Sequence, residues 1–121
     1  STNKLSVSSP ATLLNHAGNG HQVKINKAST TDTASLLFQS NWSGRAEMGL
    51  AGSDNFAVKV SDGSTWTTAI SVAGSNGAVT LANVLRLTPM AQPTGQAGMI
   101  YFDSTTLKLR CHNGTQWNDL F

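Results

Sequence analysis

Three tryptophans, Trp42, Trp66 and Trp117, sit in or just after turn-like stretches, with Ser, Thr, Asn or Gln beside them. An indole face stacks on a sugar ring, and neighbouring amides and hydroxyls read the ring's substituents. Trp42 is the best placed of the three. It lies between Asn41 and Ser43, with Gly44 and then Arg45 following. The fork of Arg45 suits a carboxylate or sulfate on an acidic glycan. Asn41, Trp42, Ser43 and Arg45 are therefore the candidate carbohydrate-binding residues. The competing reading is packing, with each indole lying over its own hairpin or between chains. It weighs most on Trp66 and Trp117, which recur at equivalent places in the chain.

Other reactive residue types point away from catalysis. His16 and His21 flank Gly18-Asn19-Gly20 without closely paired His, Cys or carboxylate neighbours, so neither a metal site nor a cofactor is expected. Asp32, Glu47, Asp54, Asp62, Asp103 and Asp119 sit mainly in turns, and turn propensity explains Asp54, Asp62 and Asp103. A glycosidase would need two carboxyls held about 5–10 Å apart in a cleft. Gly-x-Ser-x-Gly is absent, and Gly18-Asn19-Gly20 lacks the helix of a phosphate loop. No catalytic residue is assigned, and the chain reads as a non-enzyme. The lone Cys111 alternates in phase with Leu107 and Leu109, as a small buried hydrophobe does.

The elements that must position these residues are short strands. Residues 99–102 form an apolar run, Asp103 to Thr106 supply turn chemistry, and residues 107–112 alternate, with Leu107, Leu109 and Cys111 on one face. Asn113-Gly114 signals a two-residue type I′ hairpin, whose central positions both need positive φ. Trp117, Asp119 and Phe121 share a face of the last strand. The same design stands fifty-one residues upstream without a gap. Residues 48–51 match 99–102, Phe56, Val58 and Val60 match Leu107, Leu109 and Cys111, and Asp62-Gly63-Ser64-Thr65-Trp66 matches Asn113-Gly114-Thr115-Gln116-Trp117. Two β-meanders are expected, with convergence of ordinary hairpins the alternative to a true repeat.

Earlier in the chain, residues 4–7 and 22–26 read as strands, 18–20 as a turn, 28–33 as a polar loop and 34–40 as a buried strand. Residues 11–15 read as a strand, with one capped helical turn as the alternative. Gly74 to Gly77 is a soft joint, and the two prolines in 88–97 make an extended linker. The expected organisation is a β-rich domain over 1–74 that includes the meander 48–74, strand pieces and a Pro/Gly linker over 75–97, and a C-terminal meander over 98–121.

Charged residues make up only 12% of the chain, and eight bases against six acids leave a net charge of +2. Lys and Arg are too scattered to indicate nucleic acid. No apolar run reaches the roughly 20 residues of a membrane-spanning helix, so membrane insertion is not expected. The abrupt start at Ser1 suggests a piece of something longer. Each meander has apolar residues on more than one face, and an isolated three-stranded sheet is marginal in water. Association of identical chains is the expected remedy.

Gly98, Ile100-Tyr101-Phe102-Asp103, Thr105-Thr106, Lys108-Leu109-Arg110, Asn113-Gly114 and Trp117 resemble, in that order, a motif that recurs in bacteriophage tail fibres and tail spikes. Leu13 to His16, Gln22 to Lys27, Ser35 to Gln39, Ser43 to Met48 and Asp62 to Trp66 look like the C-terminal region of fibre or spike proteins of prophages and gene transfer agents in alphaproteobacteria. Cys111 and His112 depart from the motif. The resemblance implies an all-β fold of short-stranded meanders in an elongated homotrimeric fibre or spike. It also implies a place on a virion or phage-like particle appendage, joined to the remainder of the fibre, and binding to host cell-surface polysaccharide or another receptor. A purely structural trimerisation or shaft segment and a polysaccharide depolymerase are the alternative functions.

Overall fold

The computed structural model describes residues 2–121 and is all-β, with eight strands and no helix among the described residues. The chain divides into two compact units, Ser1–Ala78 and Val79–Phe121, so the division falls just past the soft joint at Gly77. In the first unit β1 (Thr33–Ser40), β2 (Ser43–Ala51), β3 (Phe56–Ser61) and β4 (Trp66–Val72) pair antiparallel in chain order. β5 (Val79–Leu81) opens the second unit. There β6 (Ile100–Phe102), β7 (Leu109–His112) and β8 (Trp117–Asp119) form a second antiparallel sheet.

The two meanders share their second hairpin in register. Ser61 pairs with Trp66, and His112 with Trp117, at positions fifty-one residues apart. The turns match as well. Asp62 Oδ1 accepts the N–H groups of Ser64 and Thr65, both at 2.9 Å, and Asn113 Oδ1 accepts those of Thr115 and Gln116, both at 2.9 Å. Asn113-Gly114 is therefore not the expected type I′ turn. The side chain closes a four-residue turn in which Gly114 alone has positive φ. The type I′ geometry occurs instead at Asn41-Trp42, with φ of 46° and 67°, between the paired Ser40 and Ser43.

The first hairpins differ. Val58 pairs with Met48, whereas its counterpart Leu109 pairs with Phe102 rather than with Met99. Asp103, where the first copy has Gly52, accounts for the slip. Its carboxylate takes the Thr105 and Thr106 N–H groups at 2.8 and 3.1 Å, and its own N–H donates to Lys108 O, tightening the turn. A slip of three residues is odd, so it exchanges the faces of β6 relative to β7. Tyr101 thereby comes opposite Arg110, in one row with Asp119.

Burial follows this exchange. In the second unit the aromatic and charged face is the core: Tyr101, Asp103, His112 and Trp117 are all buried. The segment expected as a linker covers it. Met90 bridges to Asp103, and the Trp117 indole N–H donates to Pro93 O at 3.1 Å. The aliphatic face stays open, with Ile100 and Phe121 exposed and Cys111 half-buried rather than enclosed. In the first unit Leu36, Met48, Val58 and Ile70 form one row across four strands. Leu36, Phe38, Met48, Phe56 and Val60 are nonetheless exposed, and β1 is not the buried strand its composition suggested.

The N-terminal strands do not form within the chain. Residues 4–7, 11–15 and 22–26 carry no strand, and Ala17 and Gly20 make an isolated bridge. The root of this arm is held by Lys27, whose side chain is 8% exposed. Its ammonium donates to Thr30 O at 2.9 Å and Ser53 O at 2.7 Å and pairs with Asp54 at 2.9 Å.

Candidate functional site

The β1–β2 tip is built by an unusual local choice. A type I′ hairpin needs both central residues at positive φ, and Asn tolerates this while a bulky residue resists it by roughly 1–2 kcal/mol. Here Trp42 occupies the second position and is 87% exposed. Neither burial nor turn propensity selects an indole there. Strain of this kind persists where function uses it. Gln39 steadies the turn by donating from Nε2 to Trp42 O at 3.3 Å.

The remaining sequence candidates divide. Asn41 and Ser43 flank Trp42 at the same tip. Arg45 lies two residues further along β2, at a register shift where Phe38 faces Ala46 and Gln39 faces Gly44, leaving Arg45 without a partner on β1. Its Nη1 donates to Asp62 O at 2.8 Å, so the guanidinium lies over the β3–β4 turn. A Cβ on Gly63 would stand 3.2 Å from that guanidinium, so glycine allows the close approach. The Arg45 side chain remains exposed.

Sequence reasoning missed what Arg45 leads to. Val60, Ser61, Asp62, Thr65 and Thr67 line an open groove of about 530 Å³ on the first unit. The Asp62 carboxyl is held below the usual carboxylate range, chiefly by the Thr65 and Ser64 N–H groups and further by Arg45. Hydroxyls, an ionised carboxylate and an arginine thus line or border one groove, a set able to exchange hydrogen bonds with a polyhydroxyl ligand. Asp62 had been explained by its turn alone. The Thr65/Thr67 alternation around Trp66 was the available signal.

The other two indoles make packing contacts, Trp117 as part of a core and Trp66 in part. Trp66 lies over Gly44, where a Cβ would meet its Cζ2 at 2.8 Å, and Lys59 Nζ stands 5.9 Å from its ring centre. Trp117 is enclosed by Tyr101 and His112, edge to face at 4.5 and 5.0 Å. Beneath it Arg110 donates to Trp117 O at 3.0 Å and to Gln92 at 2.8 Å. Arg110 Nε also lies 2.8 Å from Asp119 as an ion pair, without the alignment of a hydrogen bond. Trp42 is the one indole whose faces are free to stack.

All six carboxylates are engaged. Asp32 accepts from Ser29, Glu47 from the Ser35 hydroxyl at 2.6 Å, and Asp54 pairs with Lys27. Asp62 and Asp103 close turns, and Asp119 pairs with Arg110. His16 Nδ1 lies 2.7 Å from Gly18 O, within its own loop.

No family model, no curated protein and no solved structure matches this chain.

Proposed function

We propose that this chain is a non-enzymatic attachment module of a phage-like particle appendage, assembled as a homotrimer, that binds a host surface polysaccharide at the β1–β2 tip. The observation that carries the reading is Trp42: an indole held at φ 67° and 87% exposed, with an amide and a hydroxyl on either side. Trp42 supplies the stacking platform, and Asn41 and Ser43 supply neutral donors and acceptors. Arg45 and the adjoining Asp62–Thr67 groove extend the contact to further rings. The appendage context rests on the resemblance of residues 98–117 to tail-fibre and tail-spike sequences.

A second reading, a trimerisation and shaft segment with binding elsewhere, is favoured by the open apolar faces of both sheets. One pair of variants separates the two. Trp42→Ala should abolish binding on a glycan array or to intact host cells, with stability changed by no more than about 0.5 kcal/mol. Trp42→Gly should also lose binding while gaining about 1 kcal/mol, because glycine accepts the positive φ. Unchanged binding by both variants removes the site from this tip and leaves the shaft reading. Shortened chains after incubation with capsular polysaccharide would establish the depolymerase.

A further inference from the structure

The isolated chain exposes far more surface than its size requires. Its accessible area is 9615 Å². Two separate compact units of 78 and 43 residues would expose about 7,500 Å² together. The excess, about 2,000 Å², therefore does not depend on how the units are disposed. It is of the order that permanent assemblies cover.

Part of that excess lies on an N-terminal arm, and part on an unprotected strand edge. Residues 4–7 and 22–26 have the alternation of strands, with Leu5, Val7, Val23 and Ile25 exposed. Among the described residues, 4–7 and 22–26 form no backbone–backbone hydrogen bond. Water meets those exposed donors, but the outward aliphatics gain free energy by burial against another surface. β1 offers one. It is the edge strand of its sheet, eight residues long, with no charge and no proline, and Leu36, Leu37 and Phe38 along it are exposed. Proteins ordinarily blunt such an edge or cover it.

We infer that residues 22–26 of one chain add as a strand to the free edge of β1 in a second copy of this chain. Main-chain hydrogen bonds supply the affinity, as in other strand additions. Alternate side chains of the arm then extend the row of Leu36, Met48, Val58 and Ile70 on the neighbour. Charge favours the encounter. Residues 2–31 carry Lys4, Lys24 and Lys27 and no acid, a net +3, while 32–121 carry six acids against five bases, a net −1. The Lys27 anchor fixes where each arm leaves its own unit.

The inference rests on self-assembly of identical chains, and hydrogen exchange on the intact protein tests the two separately. In assembled protein, the alternate amides of 22–26 that face the edge, and the amides of β1 that point away from β2, should exchange at least a hundredfold slower than in an unstructured peptide. That protection should vanish on dilution to the monomer. A trimer by light scattering whose 22–26 amides exchange at the peptide rate overturns the arm and leaves assembly standing. Protection that survives in the monomer shows pairing within one chain and overturns it too. A protein monomeric at every concentration overturns both. Val23→Pro and Lys24→Pro add an independent check, because successive N–H groups point to opposite sides of a strand. One of the two should raise the dissociation midpoint at least tenfold. Assembly like the unsubstituted chain by both would overturn the proposal.

Discussion

Trp66 and Trp117 occupy the same place in two copies of one design, after the same turn and in the same register, yet only one became core. Trp117 is 9% exposed and enclosed by Tyr101, His112 and the carbonyl of Pro93. Trp66 is 40% exposed, lying on Gly44 with Lys59 to one side. Local sequence around the two is nearly matched, so the difference comes from elsewhere. It arises in the preceding hairpin, where Asp103 tightens the turn, shifts the pairing by three residues and brings Tyr101 opposite Arg110. It is completed by residues 90–93, which lie over that face. A tryptophan at an equivalent position does not carry an equivalent role.

The sharpest way to break this comparison is to truncate both indoles. Trp117→Ala should destabilise its unit by about 4 kcal/mol, as removal of an enclosed aromatic does. Trp66→Ala should cost about 1 kcal/mol, because much of its surface is already in water. Urea unfolding at matched protomer concentration reads both, and equal losses would show that the first meander also packs as a core.

A smaller effect comes from the glycines beneath the rings. Gly95→Ala would drive a methyl into His112 and Trp117, both of them buried, and should cost about 2–3 kcal/mol. Gly44→Ala meets the outer edge of Trp66, which can swing into solvent, and should cost less than about 1 kcal/mol. Thermal melts of the two variants would refute the contrast by showing similar shifts.

Acid sharpens the comparison most gently. The Asp103 carboxyl lies below its ordinary value, chiefly because it accepts the Thr106 and Thr105 N–H groups and then the Tyr101 hydroxyl. A depressed carboxyl contributes stability that is whole above its unfolded value, about pH 4, and is lost as pH falls through the lower folded value. The second unit should therefore weaken below about pH 4, and Asp103→Asn should flatten that dependence. Asp62→Asn should hardly alter the first unit at neutral pH, since Asn113 closes the same turn with an amide. Melting temperatures from pH 2 to 7 decide this, and an acid response unaltered in Asp103→Asn would count against it.

Much of this was legible in the residues themselves. Apolar runs placed β1 and β6, alternation placed β3 and β7, and the Gly-Trp correspondence predicted two meanders whose second hairpins agree in register. Asn41, Trp42 and Ser43 were identified as a tip, because a run of apolar residues ends there in turn formers. These features depend on neighbours a few residues apart, and short-range preferences record them. The positive φ of Trp42 was not legible, because nothing in its type favours that conformation. Nor was the diversion of Arg45 to the Asp62 carbonyl, which depends on a one-residue register shift in β1 and β2. The segment 88–97 read as a linker because its prolines exclude a ladder, but that says nothing of what lies beneath it. The N-terminal arm shows the limit most plainly. Its alternation predicts strands over 4–7 and 22–26 that do not form within the chain, because a strand exists only where a partner edge stands within hydrogen-bonding reach. The amino-acid sequence determined which segments are fit to pair and which face of each is apolar. The tertiary structure decided which edges meet and which face is covered, because both depend on contacts between segments far apart along the chain.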